Sequence, residues 1–173
     1  KTMVIVVEDG TGLSTANSYE SVAGADAYFS IIPMYSDTWA DYSQQVKENK
    51  LQLATRVLDA RTNWEGSKYV ETSALRWPRS GVADRDGISV DTDVVPVAVK
   101  AAVCELIRIL DAEDITSGQD IERLKFLKVD VLELEYQEGD SQSRIPDYID
   151  YVLAGLGSFL SGGRMTFNRI KKA

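Results

Sequence analysis

Apolar residues recur along this chain at helical and at alternating spacings, and the two patterns divide it into elements. Val22, Ala25 and Phe29 stand three and four apart. They predict a short helix, capped by Ser18 or Ser21 and ended by Pro33. Tyr35 and Trp39 then fall in a loop. In the next stretch Val46, Leu53, Val57 and Ala60 share one helical side, and Leu51, Ala54 and Leu58 widen it. Gln44, Lys47, Glu48 and Gln52 fill the opposite face. This predicts an amphipathic helix from Tyr42 to Arg61 that packs one broad side onto a core. Pro96 suits the first turn of a third helix, where its missing N–H costs nothing. Val99, Val103, Leu106 and Leu110 form that helix's stripe, and Ala102, Ile107 and Ile109 make it nearly apolar all round. It is expected to be the central, most buried helix. Pro146 opens the last predicted helix, with Ile149, Val152, Leu153, Leu156 and Leu160 as its stripe.

Strand signals are fewer. Val4–Val7 is a short apolar run that predicts an N-terminal strand. Residues 62–95 read as irregular, except that Asp86-Gly87 is a turn signal and Ile88 and Val90 alternate after it, which predicts a small hairpin. Phe126 to Tyr136 reads as a strand whose apolar face switches at Val131-Leu132. A bulge, a tight turn or a strand shared between two partners accounts for such a switch. The fold class that follows is mainly α: a bundle of about four helices with a small β element and an extended C-terminal tail. Ser161-Gly162-Gly163 marks the domain boundary, with a helical core over 1–161 and a tail over 162–173.

Charge sharpens that division. The chain of 173 residues carries a net −8. Residues 162–173 hold Arg164, Arg169, Lys171 and Lys172 without an acid, so the tail is +4 and the rest is −12. An acidic body repels the phosphate backbone. In the tail, Met165, Phe167 and Ile170 interleave with the cations, a pattern suited to a segment that orders on docking to an acidic groove of a partner. A free terminus or a DNA contact are its other readings.

Candidate chemistry is sparse. Histidine is absent, which removes the commonest general base and transition-metal ligand. The single cysteine, Cys104, lies mid-helix without an activating partner and reads as a packed thiol. Glu8-Asp9-Gly10-Thr11-Gly12 lacks the endings of phosphate-binding loops and reads as a turn. Asp84-Arg85-Asp86-Gly87, followed by Asp91 and Asp93, misses calcium-loop spacing and reads as a hairpin turn. Trp77-Pro78-Arg79 offers either an aromatic and cationic surface for stacking bases or a structural loop. The structural reading puts Trp77 at the core edge, lets Pro78 fix the backbone and pairs Arg79 with an acid. No catalytic, cofactor or metal residue is assigned, so the chain reads as non-enzymatic. No apolar run approaches the roughly 20 residues that cross a bilayer. Together with Val4–Val7 being too short for a signal-peptide core, this reads as intracellular and soluble.

Several of these stretches also carry a resemblance. They are Val7-Glu-Asp-Gly-Thr-Gly-Leu13, Ala16-Asn-Ser-Tyr19, Ala25-Asp-Ala-Tyr28, Ala74-Leu-Arg-Trp-Pro-Arg-Ser-Gly81, Asp84-Arg-Asp-Gly87, Val95-Pro-Val-Ala-Val-Lys100 and Glu133-Leu-Glu-Tyr136. In this order they resemble a phage family often labelled DnaT-like single-stranded-DNA-binding, members of which serve as head–tail connector, or adaptor, proteins. The resemblance implies a helical subunit of the virion neck, assembled in the host cytoplasm into a homo-oligomeric ring, commonly twelve-fold. Such a ring sits between the portal protein and the next neck or tail protein and extends the channel through which double-stranded DNA passes. It implies no cofactor and no membrane. The C-terminal segment of the family reaches the portal, a role that the chemistry of residues 162–173 suits although they match none of the motifs. Two other readings stand beside it: a single-stranded-DNA-binding phage protein, and a head-closure or tail-completion subunit.

Overall fold

The computed structural model describes residues 4–112 and 148–159. It is mainly helical, with a small β element. The predicted strand at 126–136, the boundary at 161–163 and the basic tail lie outside the described residues.

Helix α1 (Val22–Ser30) starts where the Ser21 side chain accepts the Gly24 N–H, and it buries Ala25 and Phe29. Ser18, the other candidate cap, instead donates its hydroxyl to the Glu20 carbonyl. The stretch after Pro33 is a helix rather than the expected loop: α2 (Pro33–Ala40) has Pro33 at its start and buries Tyr35 and Trp39. Those two aromatics are four apart, hence on one helical face. They close over Phe29, with ring centroids 4.8 and 4.6 Å away.

Helix α3 (Gln44–Arg61) begins at its Ser43 cap. Its buried side is Leu51, Ala54, Thr55 and Leu58. The stripe predicted as primary is corrected here: Val46 and Ala60 are exposed and Leu53 and Val57 only half-buried. The two stripes are adjacent, and only the position of α4 decides which one is covered. Helix α4 (Val97–Ala112) is the central helix, with Val99, Ala102, Val103, Cys104, Leu106, Ile107 and Ile109 all buried. It packs against α1, α3 and a last short helix, α5 (Tyr148–Val152).

The last predicted helix is also corrected. Helix α5 stops at Val152, residues 153–156 turn, and Gly157–Phe159 is a strand. Gly155 sits in the turn at φ 88°, the left-handed region that glycine enters freely, and packs on the backbone of Asp84 and Arg85. The described residues form four short strands, β1 (Thr62–Trp64), β2 (Ser67–Lys68), β3 (Arg79–Ser80) and β4 (Gly157–Phe159). Strand β1 pairs antiparallel with β4, Thr62 opposite Phe159, and β2 pairs antiparallel with β3. A single Ala83–Ser89 bridge closes the predicted hairpin. Val4–Val7 is not a strand. It makes one bridge, Val7 to Ser18, because the Asn17 side chain takes the place of a neighbouring strand: Oδ1 accepts the Val6 N–H at 2.8 Å and Nδ2 donates to the Val4 carbonyl at 3.0 Å. Among the described residues no helix is long and apolar enough to cross a membrane.

Candidate functional site

The motif residues converge on one end of α3. Tyr19 is fully buried, and its hydroxyl donates to Asp59 Oδ1 at 2.6 Å while accepting the N–H groups of Arg76 and Trp77 at 3.0 and 3.1 Å. Asp59 Oδ2 also accepts the Arg76 N–H at 3.0 Å. The Ala16–Tyr19 motif thereby holds the backbone of the Ala74–Gly81 motif, and a carboxylate on α3 holds both. Burial, and then the neighbouring Asp59 carboxylate, push the Tyr19 hydroxyl well above its ordinary pKa. Burial likewise raises Asp59.

Trp77, Pro78 and Arg79 are all buried. Trp77 meets Trp64 edge to face, with centroids 5.8 Å apart, and the Trp77–Pro78 peptide is cis. Among the described residues Arg79 pairs with no acid, contrary to the expectation from sequence. Its guanidinium donates to four carbonyl oxygens: Glu65 at 2.6 Å, Gly66 at 2.8 Å, Arg76 at 3.2 Å and Trp64 at 3.5 Å. A guanidinium fork presents its N–H donors in a plane, which matches carbonyls gathered from two loops. Neither the indole nor the guanidinium is presented for stacking bases.

The two acidic loops are held in the same internal way. Glu8 is buried, and its carboxylate accepts the N–H groups of Gly10, Gly12 and Leu13 at 2.8–3.0 Å. The N–H groups that would cradle a phosphate are thus bound to the loop's own carboxylate. Asp84 Oδ1 accepts the N–H groups of Asp86 at 3.0 Å and Ile88 at 2.8 Å, and Gly87 takes φ 81° in the turn. Among the described residues no group of acids or thiols is arranged to hold a metal ion. Cys104 is fully buried, and burial, reinforced by Glu20 and Glu105, raises its thiol pKa far above the ordinary value.

Two further carboxylates that the sequence did not single out organise the helices. Glu105, buried on α4, accepts the Tyr28 hydroxyl at 2.8 Å and a two-pronged contact from Arg108 at 2.8 and 2.9 Å. Asp111 receives Tyr35, Tyr42 and Lys50. Helical spacing signals only the Glu105–Arg108 contact, three residues apart on α4; Tyr28, Tyr35, Tyr42 and Lys50 are brought to the two carboxylates by the packing.

The outer side of the Tyr19–Asp59 network is an open groove of about 580 Å³. Leu53, Ala60, Ala74 and Leu75 give it an apolar floor, and Asn17, Gln52, Thr55, Arg56, Asp59 and Arg76 its polar lining. Arg56 and Arg76 are exposed, and neither forms an ion pair among the described residues. Gln52 Nε2 is buried without an acceptor among them. Arg76 stands inside the Ala74–Gly81 stretch, so the sequence held the signal. Which of its two arginines faces outward is decided by the fold. The tail residues Arg164, Met165, Phe167, Arg169, Ile170, Lys171 and Lys172 lie outside the described residues.

These features define a small helical body whose motif side chains bind its own loops and leave a cationic groove open. The chain belongs to the family described as "Putative DnaT-like ssDNA binding protein", whose model matches residues 3–172. It matches no curated protein and no solved structure.

Proposed function

We propose that this chain is a non-enzymatic structural subunit of a tailed-phage neck, assembling into a ring between the portal protein and the next neck or tail protein. The observation that carries the reading is the use made of the motif residues. Glu8, Tyr19, Trp77, Arg79 and Asp84 stand in the stretches that resemble connector proteins, and each is engaged with backbone or core of the same chain. Residues used in this way specify a shape, which is what a ring subunit must supply. The charge supports it too: residues 4–112 and 148–159 carry 17 acidic and 10 basic side chains. A channel wall of the same sign as DNA lets the duplex slide without sticking. The basic residues 162–173 are the segment proposed to dock on the portal.

The family's description favours a second reading, a protein that binds single-stranded DNA. With Trp77 and Arg79 buried, such binding falls to other residues, namely the tail or the Arg56–Arg76 edge. Co-sedimentation with purified portal rings separates the two. The full chain is expected to bind and a chain truncated after Ser161 to lose binding. Absence of portal binding, together with salt-sensitive binding of single-stranded DNA, replaces the connector reading with the DNA-binding one.

A further inference from the structure

We propose that the groove edged by Arg56 and Arg76 receives the acidic segment 130–140 of a second copy of this chain. The proposal rests on the ring reading and names the contact between neighbours. The groove's polar lining includes Asp59, Asn17 and Thr55, which are engaged within the chain: Asp59 accepts from Tyr19 and from the Arg76 N–H, Asn17 binds Val4 and Val6, and Thr55 accepts the Tyr19 N–H. The groups left over are donors: two exposed guanidinium groups without an ion-pair partner among the described residues, and the buried Gln52 amide N–H without an acceptor among them. Donors in that state match anionic or carbonyl oxygens. Between them lie Leu53, Ala60, Ala74 and Leu75, so the complementary ligand carries acids and apolar side chains together.

Single-stranded DNA fits this less well. Among the described residues, the groove is lined by no aromatic ring on which a base would stack. The acid excess of the body also opposes a long polyanion more than a short carboxylate segment. The chain itself contains the complementary sequence. Residues 130–140 hold Asp130, Glu133, Glu135, Glu138 and Asp140 with no base, and Val131, Leu132, Leu134 and Tyr136 among them. Arginine–carboxylate pairs would fix register between neighbours, and the apolar side chains would cover the floor.

The test places a photo-crosslinking residue in the groove of the full chain, as Ala60→p-benzoylphenylalanine and, separately, Ala74→p-benzoylphenylalanine. Light and nitrogen-15-labelled chains are mixed, assembled with portal rings and also concentrated alone, then irradiated and mapped by mass spectrometry. The expected product joins the groove to residues 130–140 of a chain carrying the other label. Arg56→Glu with Arg76→Glu should abolish it, and adding Glu133→Lys with Glu135→Lys to the same chain should restore it. Circular dichroism checks that each variant folds. Cross-links confined to a single chain, to other segments, or absent altogether overturn the proposal. So does a groove that cross-links to added oligothymidylate in place of the peptide. Rings that form on the portal while the groove links elsewhere sink the contact and leave the ring reading standing. Links to 130–140 across chains without portal binding do the reverse.

Discussion

At the scale of single residues, hydroxyls, carboxylates and one guanidinium hold the motif loops together. Tyr19 satisfies two backbone N–H groups and a half-buried carboxylate with one hydroxyl. Tyr19→Phe keeps the ring and removes all three contacts, so it is expected to cost roughly 2–4 kcal/mol in urea unfolding, beyond the ~1 kcal/mol of an ordinary hydrogen bond. A loss under ~1 kcal/mol would mean that water replaces the hydroxyl. Asp26 and Asp59 should titrate on opposite sides of an ordinary aspartate. Asp26 is held down by the Lys47 ammonium 2.9 Å away and by the Trp39 indole, and Asp59 is pushed up by burial. The signs follow. Asp26 stabilises the fold above the unfolded-state aspartate pKa, and this is lost as pH falls through its lowered value. Ionised Asp59 opposes folding, and this is relieved as pH falls through its raised value. A carboxyl NMR titration showing the reverse order would refute the assignment. Cys104 should resist a disulfide exchange reagent at neutral pH in the folded chain and react on unfolding, since its thiol is buried and its pKa raised.

At the scale of elements, packing is fixed by a few carboxylate hubs and close backbone approaches. Asp111 ties the C-terminal end of α4 to Tyr35 of α2, to Tyr42 and to Lys50 of α3. Asp111→Ala leaves a partly buried ammonium and two phenols without their acceptor, and is expected to destabilise by about 2–4 kcal/mol. The loop of Glu8 packs against the segment leading to α4. Gly10 holds φ 104° there, and a Cβ at that position would overlap the Asp93 carbonyl. Gly10→Ala should therefore cost more than the ~1 kcal/mol that separates the two residues in an open helix. Thermal unfolding of that variant, beside Gly81→Ala, where a Cβ meets open space, separates overlap from backbone strain alone.

At the scale of the whole molecule, residues far apart in sequence complete one core. Ile149, Leu153, Leu156 and Phe159 are buried, and β4 completes a two-stranded sheet with β1. Burying side chains of this kind contributes about 1.5–3 kcal/mol each, against a total stability of roughly 5–15 kcal/mol. A chain ending at Ala112 is therefore expected to lose cooperative unfolding, whereas one ending at Ser161 should retain it. A cooperative transition in the shorter chain would show that the core closes without its C-terminal part.

The sequence by itself determined helices α1, α3 and α4 and the centrality of α4, because a 3.6-residue repeat and proline or serine at the boundaries act locally; it did not determine α2, whose stretch reads as a loop. It also determined the turns at Glu8–Gly12 and Asp84–Gly87, where side chain and backbone partners lie within five residues. Tertiary structure decided what local pattern leaves open. The side of α3 that is covered depends on where α4 lies. The second half of the last predicted helix becomes β4 because β1 offers it a partner. Arg79 faces inward to carbonyls gathered from residues 64–66 and 76, and Arg76 is left at the groove. Those contacts join residues distant in sequence, and a hydrophobic pattern carries no information about them.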